Sequence, residues 1–122
     1  MLFRSIEEAE AALAISDYGA ARAALADAWT AKGDQLLWHA RDAEQAKSFY
    51  EKVLRRDPDD PRALYGRAAY FRRSAIVDKE PRLLDLARSD LRHALKAGDW
   101  PLATHALAEI DEIEAEKLAR KQ

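Results

Sequence analysis

Between Ala46 and Phe71 the chain reads AKSFYEKVLRRDPDDPRALYGRAAYF, and apolar residues recur at helical spacing on both sides of a proline-marked break. Ala46, Tyr50, Val53 and Leu54 fall on one face of a helix, with Lys47, Glu51, Lys52 and Arg55 on the other. Pro58 ends that helix. Asp59 or Asp60 is placed to cap the next one by accepting a backbone N–H bond, and Pro61 at its first position gives up a donor that a helix start leaves unpaired. Leu64, Ala68, Phe71 and Ala75 continue as the buried stripe of the second helix. A turn this short predicts antiparallel neighbours.

The flanking segments follow the same period. From about Ser5 to Ile15, Ile6, Ala9 and Leu13 share one face, and Asp17, Tyr18 and Gly19 mark a turn or a helix start. Tyr18, Ala21, Leu25, Ala28 and Trp29 then form a stripe that places Trp29 in the core. Gly33 reads as the end of that helix. Beyond it Leu36, Ala40, Ala43, Ala46, Tyr50 and Val53 form an unbroken stripe with no glycine or proline between Asp34 and Asp57, which predicts one long helix capped by Asp34. Near the other end Gly98 and Asp99 close one helix and cap the last, with Pro101 in its first turn. Ala103, Ala106, Leu107, Ile110 and Ile113 face inward before the sequence turns highly charged. With no strand-like alternation, the expected fold class is all-α: an antiparallel helix-hairpin stack of about three hairpins, five to six helices, forming a single domain over 1–122.

The residues on either side of Pro58 resemble the tetratricopeptide repeat, a unit of about 34 residues in two helices with small residues at the close crossing. Ala46, Tyr50, Val53 and Pro58 match the second half of such a unit. Ala68 and Phe71 match the small and aromatic positions of the next first helix, and Ala87, Leu91 and Ala94 resemble its partner, so the clearest match covers 46–97. The stretch SAIVDKEPRLL, from Ser74 to Leu84, is an insertion relative to the usual repeat length. The resemblance also offers a second register upstream, in which Trp29, Gly33 and Leu36 are the large, small and large positions of a first helix and Asp42 starts its partner.

Composition narrows the class. An apolar fraction of 48% and a charged fraction of 34% are those of a soluble globular chain. There is no cysteine, which excludes a disulfide framework and thiolate chemistry. The start, MLFRSIEEAEAALAI, lacks the continuous apolar core of a signal peptide, and no apolar run approaches a membrane span. The expected location is cytoplasmic, without a membrane partner. Net charge is only −2, yet Lys47 to Lys96 holds 13 basic and 8 acidic side chains while the rest holds 7 and 14. A basic centre between acidic ends suits an acidic partner, or self-association of opposite charges into a homodimer. The acidic pI and the lack of a concentrated basic run argue against nucleic acid.

In the resembled family the first helix of each repeat lines a concave groove, which implies Arg62, Tyr65, Ala69, Arg72 and Arg73 as the partner-binding positions. Guanidinium groups grip carboxylates through paired hydrogen bonds, and a tyrosine offers a flat surface with a polar tip, so the implied ligand is an acidic protein segment or peptide. The chaperone-binding members also use asparagine to clamp a terminal carboxylate, and this chain has none. Trp38 and Trp100 sit beside helix ends or off the main stripe, where a ring either packs on a neighbouring hairpin or anchors a partner.

Catalytic signals are thin. His39, His93 and His105 are widely spaced, and His105 with Glu109, the only pair at one-turn spacing, supplies two of the three or four ligands a metal needs. No glycine-rich phosphate loop or nucleophile elbow is present. Asp57, Asp59 and Asp60 lack the glycine and distal glutamate of a calcium loop and read as caps. No metal, cofactor or catalytic residue is therefore expected. The one enzyme reading rests on Arg88 and His93, with four residues between them in a predicted helix, which are similar to the arginine–histidine motif of the HEPN ribonucleases. That resemblance implies a histidine for acid–base transfer and an arginine on the scissile phosphate.

Overall fold

The computed structural model describes residues 5–15, 19–39 and 42–121. Within them the chain is all-helical: α1 (Ile6–Ile15), α2 (Gly19–Trp38), α3 (Ala43–Arg56), α4 (Pro61–Val77), α5 (Arg82–Leu95) and α6 (Pro101–Lys121). Contacts divide it into two compact units, Met1–Pro58 and Asp59–Gln122. The division falls at the Pro58 turn, where the apolar pattern ends one helix pair and begins the next.

In the first unit α2 packs against both α1 and α3. Ser5 starts α1, its hydroxyl accepting the Glu8 amide at 3.2 Å. The expected long helix from Asp34 to Asp57 is instead two helices. α2 continues through Gly33 to Trp38, and α3 begins at Ala43 after Asp42, whose carboxylate accepts the Gln45 amide at 3.1 Å. The Asp42 amide donates back to the Leu36 carbonyl at 2.8 Å, closing the turn. Asp42, not Asp34, is therefore the helix start.

Gly33 and Asp34 have different tasks from those the pattern suggested. Gly33 lies inside α2 because Tyr50 of α3 crosses directly over it. A Cβ there would sit 2.7 Å from the Tyr50 Cε1 and 3.0 Å from its Cζ. Asp34 caps nothing; it accepts the Tyr50 hydroxyl at 2.5 Å. Leu25, Trp29, Leu36, Leu37, Ala46, Val53 and Leu54 complete the core around Tyr50. Trp29 is buried as its stripe predicts, flanked by Lys52 and Arg56 at 5.8 and 5.5 Å from its ring. Of the other inward expectations, the side chains of Leu13 and Ala21, and residues Asp17, Tyr18 and Ala40, lie outside the described residues.

In the second unit Asp60 caps α4, accepting the Arg62 and Ala63 amides at 3.0 and 3.1 Å, and Pro61 occupies the first helical position. The segment from Ser74 to Leu84 holds the end of α4, the turn and the start of α5. Lys79 takes a left-handed backbone at φ 55, and the Glu80 amide reaches back to the Ala75 carbonyl at 3.1 Å, closing the helix end. Ile76 and Val77, in the last turn of α4, are exposed. α5 packs on α4 and on α6, around a core of Ala68, Ala75, Leu84, Ala87, Leu91, Ala103 and Ile110. Gly98, at φ 152, lets the chain turn into α6. The acceptor at the α6 start is the Trp100 carbonyl, which takes the Ala103 and Thr104 amides, not the expected Asp99 carboxylate.

Two outcomes follow from the Tyr50 crossing. Gly33→Ala gains helix propensity worth about 1 kcal/mol but pushes a methyl into a fully buried ring, an overpacking cost of about 1–3 kcal/mol. Urea unfolding is expected to show a net loss of stability. Burial first, and then the hydrogen bond and charge of Asp34, push the Tyr50 hydroxyl far above its ordinary value of 10.0. Its folded form thus keeps a proton that the unfolded chain releases, so this contribution is complete below pH 10 and declines above it. Tyr50→Phe is expected to flatten the fall of stability between about pH 10 and 11.5, by at most about 1.4 kcal/mol per pH unit.

Candidate functional site

The five positions implied as partner-binding all lie on α4, and the helix places them on one side at about 100° per residue. Arg62 is exposed in the first turn. It borders a cleft of about 410 Å³ formed with Pro61, Ala94, Ala97, Gly98, Asp99 and Trp100. One turn on, Tyr65 is partly buried against the Trp100 ring, with centroids 5.0 Å apart and planes tilted by 47°. Trp100 therefore packs inside its own unit. Trp38 does not: it is 54% exposed.

Ala69 and Arg73 are partly buried on the same side of α4. Arg72 is engaged across the unit by the Glu109 carboxylate of α6, which also meets the His105 ring at 2.9 Å. The structure thus sets Tyr65 against Trp100, just before α6, and Arg72 against Glu109 of α6, while Arg62 is exposed at the cleft rim. Sequence reading gave no sign of the Arg72–Glu109 pairing, because the partners are 37 residues apart.

The ion pair that matters most for α4 also escaped the pattern. Arg67 meets Asp90 of α5 through two parallel hydrogen bonds, Nε at 2.9 Å and Nη2 at 2.8 Å. Asp90 is 6% exposed, so its charge is stable there only with such a partner. The one signal available was an aspartate lodged beside the Ala87, Leu91 and Ala94 stripe.

Arg88 and His93 both line a second cleft, of about 650 Å³, with Asp85, Ser89, Arg92, Lys96 and Asp111. Their contacts differ. Arg88 is gripped by Glu114 at 2.6 Å and by Asp85 and Asp111 at 3.1 Å each. The Glu114 hydrogen bond, reinforced by Asp111 against the cost of burial, holds the guanidinium above its ordinary range. His93 instead turns its Nε2 to Asp59 at 2.6 Å, tying α5 to the segment that enters α4.

Among the described residues no three metal-ligating side chains converge, and no helix is long and apolar enough to cross a membrane. No family model, curated protein or solved structure matches the chain.

Proposed function

We propose that this chain is a cytoplasmic adaptor, scaffold or assembly subunit, built like a tetratricopeptide repeat protein, that binds an acidic protein segment along α4. The observation that carries this reading is the alignment of Arg62, Tyr65, Ala69, Arg72 and Arg73 on one side of that helix, beside an apolar cleft walled by Trp100. An acidic side chain reaching Arg72 exchanges with Glu109, itself 39% exposed. A pair with both side chains still open to solvent, at 29% and 39% exposure, is largely screened and worth on the order of 1 kcal/mol, so the exchange costs little. Tyr65, braced by Trp100, supplies a preordered aromatic surface, and Arg62 supplies a second cation at the cleft rim.

The ribonuclease reading has one observation in its favour, the shared cleft of Arg88 and His93. Against it, a phosphate approaching Arg88 meets three carboxylates already hydrogen-bonded to the guanidinium. Arg88 is better explained as the ionic tie between α5 and α6.

Co-purification from source-cell lysate, with masses identified, tests the first reading against a folded Arg62→Glu/Arg72→Gln variant. The expected outcome is a protein retained by the wild type and lost, by roughly tenfold or more, from the variant, as removal of two charge-assisted contacts implies. Recovery of only the chain itself in both cases overturns the α4 surface and leaves self-association as the partner.

A further inference from the structure

We propose that the outer side of α5 binds a phosphomonoester, a site separate from the α4 surface and independent of it. The 650 Å³ cleft is within the usual size for a small-molecule site. Its two ends differ in charge. At one end Asp85 and Asp111 are both bound to Arg88. At the other, one to two helical turns along α5, Arg92 and Lys96 are exposed and enter no ion pair among the described residues.

The spacing brings donors together. Arg92 and Lys96 are four residues apart, and Ser89 lies three before Arg92, so Arg92 has both as neighbours, at roughly 5–6 Å between Cβ atoms, along one stripe that spans two turns. His93 stands beside them, held by Asp59 through Nε2. Two cations and a hydroxyl match a group that carries about −1.5 to −2 charge and three acceptor oxygens at neutral pH, which is a phosphomonoester. A carboxylate, with one charge and two oxygens, satisfies them less completely.

The acidic end defines the rest of the ligand. Asp85 and Asp111 each meet Arg88 through Oδ1 and keep Oδ2 as an acceptor for hydroxyl or amino groups. They also repel a second phosphate. The site therefore favours a single phosphate on a body rich in donors over a nucleic-acid backbone. That chemistry is shared by a free sugar phosphate and by a phosphorylated serine on a partner.

Amide chemical-shift titration of the ¹⁵N-labelled full chain distinguishes these, using ribose 5-phosphate and ribose, a phosphoserine peptide and its unphosphorylated form, and oligoadenylate. Saturable shifts at Ser89, Arg92 and Lys96 are expected with a phosphorylated probe and not with its unphosphorylated counterpart. The tighter of the two phosphorylated probes names the source. Arg92→Gln/Lys96→Gln, at two exposed positions, is expected to weaken binding at least roughly tenfold while leaving thermal unfolding unchanged. Arg62→Glu/Arg72→Gln is expected to leave it intact. Absence of saturable shifts, equal response to ribose or the unphosphorylated peptide, indifference to the double substitution, or tighter binding of oligoadenylate at these residues overturns the proposal.

Discussion

The two hydrogen bonds between Arg67 and Asp90 set which sides of α4 and α5, in the Asp59–Gln122 unit, meet water. A carboxylate as buried as Asp90 is costly without a partner, so α4 must keep Arg67 turned toward α5. At about 100° per residue, Arg62, Tyr65, Ala69, Arg72 and Arg73 then fall on the side of α4 roughly opposite Arg67. The same reasoning applied to α5 puts Asp85, Arg88, Arg92 and Lys96 opposite Asp90. Leu64, Ala68, Ala75, Leu84, Ala87 and Leu91 supply the burial that drives packing, but small, smooth apolar faces tolerate rotation. The ion pair removes that freedom. Its role is therefore specificity of orientation more than net stability, since replacing such a pair by apolar groups is often neutral.

In the Met1–Pro58 unit a steric constraint does the equivalent job. Tyr50 packs on the bare backbone of Gly33 and donates to Asp34 one residue further along α2. The contact fixes both the distance between α2 and α3 and their register, because only one position of α2 lacks a Cβ at the crossing and the next carries the acceptor. Two neighbouring residues that look like a helix stop and a cap are in fact the seat of one aromatic ring.

Much of the fold was legible from period and punctuation. The Ala46, Tyr50, Val53 and Leu54 face is buried as read, and so are Leu64, Ala68, Ala75, Ala87, Leu91 and Ala94. Pro58, Asp60 and Pro61 mark their turn because each acts through local backbone chemistry. The break between Trp38 and Ala43 was not legible, since the stripe from Leu36 to Val53 keeps helical phase across it and no glycine or proline announces it. Propensity differences of tenths of a kcal/mol per residue are too small to resist the burial gained by folding α2 back on α3. The pairings of Arg72 with Glu109 and of Arg88 with Asp111 and Glu114 were equally hidden. They depend on how α6 returns over the unit, which charge spacing within one helix does not report. The candidate surface was thus readable as a row of residues on α4 but not in its electrostatic state.

The most direct measurement is a double-mutant cycle in urea between Arg67→Ala and Asp90→Ala. If the pair orients the two helices, Arg67→Ala costs about 2–3 kcal/mol by leaving a buried carboxylate unpaired, and the double variant recovers part of that loss, giving a coupling of about 1.5 kcal/mol or more. Additive losses, with coupling within about 0.5 kcal/mol, would contradict the account and leave apolar packing alone to set the orientation of both surfaces.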